Sequence, residues 1–248
     1  MRILISNDDG YQAKGIKQLT ESLSEIADVI VVAPSENKSA ASSSLTIGKP
    51  LKPLQIEKNI YAIDATPTDC VHLALCGFIK EQIDIVITGI NHGANLGDDV
   101  IYSGTVAGAI EGRFLGLPSI AISLASWECN HFETAGEITK ELVTKIDKSG
   151  LSSNTILNVN IPDIPISEIK GIKSTRLGGR HKSAPSIQDK KDPSIYWIGE
   201  NGKEADNADG TDFHAISNNF ASVTPLQIDK TKHSEVKLVN DWLQKIDY

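Results

Sequence analysis

Residues 1–16, "MRILISNDDGYQAKGI", set the apolar run Ile3-Leu4-Ile5 almost directly against two adjacent acids, Asp8 and Asp9, and then Gly10. Neighbouring side chains on a strand point to opposite faces, so two carboxylates that serve one place must lie beyond the strand, where the chain turns. Gly10 supplies that turn. Runs of the same apolar, β-rich kind return at 28–33, 84–88, 119–123 and 155–160. Between them lie segments of helical period, such as Ile16, Leu19, Leu23 and Ile26, and later Ala135, Ile138, Leu142 and Ile146. Continuous apolar strands alternating with helices predict an α/β fold, a Rossmann-like three-layer core around a mostly parallel sheet. Ligands of such sheets bind beyond the carboxyl ends of the strands. Asp8 and Asp9 follow the first strand, and "TGINHGAN", residues 88–95, follows the strand at 84–88, so both belong to one edge.

The periphery reads differently. "KPLKPLQIEKNIYAID", residues 49–64, alternates apolar residues around "EKN" and predicts a hairpin at the margin of the core. From about 176 to 212 the composition turns polar and rich in Gly, Asp and Lys, with one strand-like island, "SIYWIG", at 194–199. That island predicts a hairpin arm leaving the core, its Tyr196 and Trp197 covered by a partner subunit or folded over the chain's own site. A last helix carries Val236, Val239, Leu243 and Ile246 on one stripe, with Trp242 beside it. The chain is thus expected to be one domain over 1–248, with a core at 1–165 and an extension at 166–248.

The bulk composition excludes several classes. A chain of 248 residues with 40% hydrophobic content can bury one sizeable core. No apolar run approaches the roughly 20 residues of a membrane span, and the N-terminus passes straight into a strand pattern without a signal-peptide region. The expected location is the cytoplasm, with no membrane partner. Cys70, Cys76 and Cys129 have no CxxC spacing and are expected as reduced, mostly buried thiols. The net charge of −8 argues against stable nucleic-acid binding. An anionic ligand must then be received by a metal or by backbone amides.

The densest signal is "GINHGANLGDDVIYSGTVAGAIEG", residues 89–112. Gly104, Gly108 and Gly112 have helical spacing, which lets a helix back closely onto a sheet. Gly93 and Gly97 are loop glycines that bare backbone amides. Ser103 to Thr105, just before the helix, is an ordinary N-cap or, given the free N–H groups and the helix dipole, an anion site. Ser39, in "PSENKSAASSS" after the second strand, and Asn91 and Asn95 after the later one complete the group. Two carboxylates with a hydroxyl and an amide oxygen form an all-oxygen set that suits one divalent ion, Mg²⁺ or Mn²⁺, rather than zinc. A hard cation beside amides implies a phosphate. Familiar phosphate motifs are missing: "TIGKP" has Pro where a P-loop has Ser or Thr, no GxGxxG follows a strand, and the acids are DD rather than DxD. Of the six histidines only His92 stands where it would touch a substrate. "ATPTDC", residues 65–70, reads as a helix start with Thr66 as cap and Pro67 at the first helical position.

These residues resemble one family, SurE, the survival-protein nucleotidases. The similarity is carried by "RILISNDDG", "VVAPSENKSAASSSLT", "TPTDCVHLAL", "DIVITGINHGANLGDDVIYSGTVAGAIEG", "LPSIAIS" and, late in the chain, "YWIG", "GTDF" and "SVTPL". It runs over essentially the whole length. The resemblance implies a metal-dependent phosphomonoesterase of nucleoside 5′- and 3′-monophosphates, working as a homodimer or homotetramer built through the C-terminal extension. It implies Asp8, Asp9, Ser39 and Asn91 as metal ligands, with catalysis centred on Asp8 and Asp9. Asn95, Ser103, Gly104 and Thr105 would hold the phosphate. The chain has Ala65 where the family often has Gly, and Thr88 where it usually has Ser; neither is an expected ligand. Two other functions share the motif set. A nucleotide sensor without turnover would use the same pocket, and a receiver-like phosphoacceptor would need an acceptor Asp that "VVAPSENKSA" does not offer.

Overall fold

The computed structural model describes residues 1–244 and 246. Its elements in chain order are β1 (Arg2–Ser6), α1 (Lys14–Ser24), β2 (Asp28–Pro34), β3 (Leu54–Glu57), β4 (Ile60–Ile63), α2 (Pro67–Leu73), β5 (Ile85–His92), α3 (Gly104–Phe114), β6 (Ser119–Leu124), α4 (Phe132–Ser149), β7 (Ile156–Ile161), β8 (Ile172–Ser174), β9 (Gly179–Arg180), β10 (Ile187–Gln188), β11 (Tyr196–Trp197), β12 (Glu204–Asp206), α5 (Asp212–Ser217), β13 (Ala221–Leu226) and α6 (Val236–Leu243).

Nine strands form the main sheet in the order β3-β4-β2-β1-β5-β6-β7-β13-β8. From β4 to β7 every neighbouring pair is parallel, while β3 and β13 run antiparallel to their inner neighbours β4 and β7. The chain builds outward from β1 in one direction, then crosses to β5 on the other side. That reversal makes the gap beyond the ends of β1 and β5 the natural ligand crevice of a doubly wound sheet.

Side-chain alternation along β1 sends Ile3 and Ile5 to one face and Leu4 to the other. The first face packs against Ile16, Leu19 and Leu23 of α1 and Ala135, Ile138 and Val143 of α4. The second packs against Cys70 and Val71 of α2, while Val106 and Ala109 of α3 pack with Ala121 and Ile156 further along the sheet. These are the three layers the pattern predicts. α2 starts as expected: the Thr66 hydroxyl accepts from Asp69 N–H, the Asp69 carboxylate accepts from Thr66 N–H, and Pro67 opens the helix.

The margin hairpin is present as β3 and β4 at the sheet edge. The arm is present as two small antiparallel ribbons, β10 with β11 and β9 with β12. Residues beyond 165 also enter the core, because β13 lies in the main sheet beside β7. Of the three free thiols Cys70 and Cys129 are buried and Cys76 is exposed, in line with mostly buried cysteines. Two details depart from the sequence reading. The stripe on α6 is solvent-facing, with Val236, Val239 and Leu243 all exposed, and Ile246 lies past the helix end. β5 continues through Asn91 and His92, where a loop was expected. No helix among the described residues is long and apolar enough to cross a membrane.

Candidate active site

β1 stops at Ser6, and the turn that follows is stitched by Asn7, whose side-chain amide donates to Gly10 O at 2.9 Å. Gly10 takes φ +96°, a conformation that a Cβ would strain. The next loop is tied to the same turn, since Lys38 N–H donates to Asp8 O at 2.7 Å and so brings Ser39 near. Ser39 then shares a cleft with Asp9, Asn37 and His92.

Asp8 is only 4% exposed. Its Oδ1 accepts from the Thr105 hydroxyl at 2.5 Å. Burial lifts its pKa to about 6, with the Thr105 hydrogen bond opposing the rise and the Asp9 charge adding to it. Asp9 is also raised by burial, against the pull of the His92 backbone N–H, which donates to its Oδ2 at 3.1 Å. Two adjacent carboxyls disfavoured as anions are the kind of pair that a cation would hold ionised, and Ser39 in the same cleft adds a hard oxygen. No cluster of three or more His, Cys, Asp or Glu among the described residues is spaced to hold a metal. A cation at this turn would have two carboxylates and neutral oxygens to rest on, a set that suits Mg²⁺.

Asn91 reaches the crevice through an irregular strand. Between Thr88 and Asn91 β5 advances three residues while β6 advances two, from Ala121 to Ser123. This extra residue re-aims the end of the strand, as bulges beside functional sites do. The Asn91 amide donates to Gly93 O at 2.9 Å.

The other wall is the start of α3. Ser103 caps it, its hydroxyl accepting from Val106 N–H at 3.0 Å. The N–H groups of Gly104 and Thr105 lie in the first turn, where a helix offers no carbonyl partners. The three spaced glycines explain the approach. A Cβ on Gly104 would stand 2.8 Å from Asp8 Oδ2, one on Gly108 2.8 Å from Thr88 Cγ2, and one on Gly112 2.6 Å from Ser119 Oγ. The packing and anion-site readings of this segment thus coincide: close packing of α3 on the sheet is what sets its first turn against Asp8. The Thr105 hydroxyl is committed to Asp8, so its contribution to an anion site is the backbone N–H.

Asn95 is clamped from three sides. Its N–H donates to Asn160 Oδ1 at 2.8 Å, its carbonyl accepts from Asn158 and Asn160 side chains at 2.8 and 3.0 Å, and its own amide donates to Ser123 Oγ at 2.7 Å. Asn158, Asn160 and Ser123 are fully buried. The sequence reading passed over them as strand residues. Their signal was two asparagines at i and i+2 in "ILNVNI", polar groups on one face of a strand that is otherwise apolar.

The profile of the Survival protein SurE family matches residues 3–184. The chain belongs to the SurE family. It is 68% identical to a protein of Ruthia magnifica subsp. Calyptogena magnifica named 5'-nucleotidase SurE, over 99% of this chain and 100% of that one. A protein of the same name from Methylococcus capsulatus is 53% identical over 98% of each chain. The crystal structure of the SurE protein from Aquifex aeolicus superposes with a TM-score of 0.87 at 41% identity, covering 99% of this chain and 100% of that one.

In this SurE chain the C-terminal extension also reaches the site. Asp212, 0% exposed, accepts from Gly97 N–H at 2.7 Å and from Gly178 N–H at 2.8 Å. Arg180 donates from Nη2 to Asp99 Oδ2 at 2.6 Å, while its backbone N–H donates to Asp98 Oδ2 at 2.7 Å. The loop between Asn95 and Ser103 is therefore fastened to residues beyond 176. Asp212 lies in "GTDF", which the family resemblance contained without giving it a role.

Proposed function

We propose that the chain is a metal-dependent phosphomonoesterase that hydrolyses nucleoside 5′- and 3′-monophosphates to nucleoside and phosphate. One observation carries this reading: the buried carboxyl of Asp8 at the end of β1, with half-buried Asp9 beside it, is packed directly against the first turn of α3, whose Gly104 and Thr105 N–H groups face no helix carbonyls. Such an arrangement receives a cation and an anion side by side.

Asp8 and Asp9, with Ser39 and Asn91, would hold one Mg²⁺ or Mn²⁺. When bound, that ion supplies Lewis acidity toward a phosphoryl oxygen and lowers the pKa of a water ligand. Thr105 orients Asp8 through its hydroxyl. The N–H groups of Gly104 and Thr105, with the helix dipole behind them, stabilise negative charge that grows on the phosphoryl oxygens. Ser103 and Asn95 position the phosphate, and the Asn158–Asn160–Ser123 clamp holds Asn95 still. Asp9, at the cleft, is placed to take a proton from an attacking water.

The same proposal reads the chain as one unit, residues 1–165 forming the core and 166–248 an extension used for a homodimer or homotetramer. Exposed Ile187, Tyr196, Trp197 and Ile198 on the arm, and the apolar stripe on α6, support that assembly. The free thiols support a cytoplasmic location.

The test is phosphate release from 5′- and 3′-nucleoside monophosphates with Mg²⁺, Mn²⁺ or EDTA, wild type beside Asp9→Asn. Release that needs metal and is lost in the folded variant is expected. Wild-type rates in Asp9→Asn would remove the assignment, and nucleotide binding without release would make the protein a sensor.

A further inference from the structure

Trp127 is 87% exposed, in a segment that the site described above does not use. An indole left in water beside a catalytic cleft calls for a reason. Its backbone is held at the cleft. The Trp127 carbonyl meets His92 Nε2 at 2.5 Å, and the His92 backbone N–H in turn donates to Asp9 Oδ2 at 3.1 Å. The benzo part of the indole rests beside Gly93, where a Cβ would stand 3.5 Å from Cζ3. Gly93 has φ +112°, a backbone conformation that favours a glycine there. The same cleft, about 490 Å³, is lined by Asp9, Ser39, Asn37, Lys14, Phe132 and Trp127. A volume of this order holds a ligand the size of a nucleotide.

We infer that Trp127 is the platform on which the nucleobase of the substrate stacks, and so a specificity residue of the reaction. This rests on the nucleotidase reading and adds its missing part. Asp9 and Ser39 mark the metal end of the cleft, beside which the phosphate would lie, and Trp127 offers a flat apolar surface one residue contact away, through His92. Every base has a π-face, so stacking of this kind tolerates sequence and favours large purines over pyrimidines. Asn37 and Lys14, on the same walls, supply polar groups for base edges and ribose.

The experiment compares AMP, CMP and ribose 5-phosphate, which keeps sugar and phosphate but lacks a base, in wild type, Trp127→Ala and Trp127→Phe. Trp127→Ala is expected to lower kcat/KM for AMP about tenfold more than for ribose 5-phosphate, mainly through KM, and less for CMP than for AMP. Trp127→Phe should recover most of the loss. Equal losses on AMP and ribose 5-phosphate, or a change of oligomeric state without a base-dependent effect, would overturn the platform and make Trp127 a structural or interface residue. Failure of the nucleotidase reading shows separately, as wild type that releases phosphate from none of the three compounds. Calorimetric AMP binding then decides, with equal affinity in wild type and Trp127→Ala overturning the platform and a loss in the variant supporting it.

Discussion

Thr105 gives its hydroxyl hydrogen to Asp8 across 2.5 Å, although the two residues are 97 apart in the chain. One is on a strand turn and the other in the first turn of a helix, and the bond ties the proposed cation and anion halves of the site into one unit. Removing the hydroxyl should therefore disturb both. Thr105→Val is expected to weaken Mg²⁺ or Mn²⁺ affinity, seen by calorimetry, and to lower kcat/KM by ten- to a hundredfold, since a hydrogen bond to a charged group contributes ~1.5–3 kcal/mol. Thr105→Ser should behave close to wild type.

The buried Asp8 predicts pH-dependent metal binding. Its pKa in the metal-free fold, about 6, lies above the 3.8 of the free side chain, so folding favours the protonated form. The sign follows: its contribution to stability is complete below pH about 4 and is lost as pH rises through about 6, an amount on the order of 3 kcal/mol. With EDTA, Tm should fall across that window. Mg²⁺ should raise Tm more at pH 7.5 than at pH 5, and Asp8→Asn should abolish both effects.

Gly104 is the point where α3 meets Asp8. Its missing Cβ leaves room for Asp8 Oδ2, which an alanine methyl would approach to 2.8 Å. Gly104→Ala should cost about a hundredfold in activity by displacing a positioned group, with the protein still folded by circular dichroism. Gly116→Ala provides the contrast. Its φ of +90° strains any side chain, but nothing lies within 4 Å, so it should lower stability by ~1 kcal/mol and spare activity.

Asn160 gives Asn95 both an acceptor and a donor. Asn160→Ala leaves the buried Asn95 N–H without its partner and its carbonyl with Asn158 alone, and is expected to cost ~1–3 kcal/mol in urea unfolding. KM for nucleotide should rise with it, and inorganic phosphate should inhibit less well. Asn160→Ser, able to restore part of the bonding, should lie between.

Asp212 fastens the extension to the loop before Ser103. Asp212→Ala should release Gly97 and Gly178 together, lowering stability by ~3 kcal/mol. Proteolysis or hydrogen exchange should then report opening around residues 97–101 and 176–182 while β1 and β5 remain protected.

Periodicity along the chain was enough to determine the layers, because a strand or helix shows its buried face within a few residues of itself. The Ile3-Leu4-Ile5 run, the Ile16 to Leu23 stripe and the Thr66 cap all act locally, and each element formed where its pattern lay. The glycine spacing at 104, 108 and 112 was likewise legible, since it states how near a helix can come to whatever it packs on. What the helix met, Asp8, Thr88 and Ser119, was a matter of tertiary structure. So were the bulge that carries β5 through Asn91, the clamp of Asn95 from 65 residues away and the bond from Asp212 to Gly97 across 115. A lone polar residue in an apolar strand says that a partner exists without saying which one. Only the fold, by closing those long loops, chose the partners, and it alone set the indole of Trp127 beside the cleft.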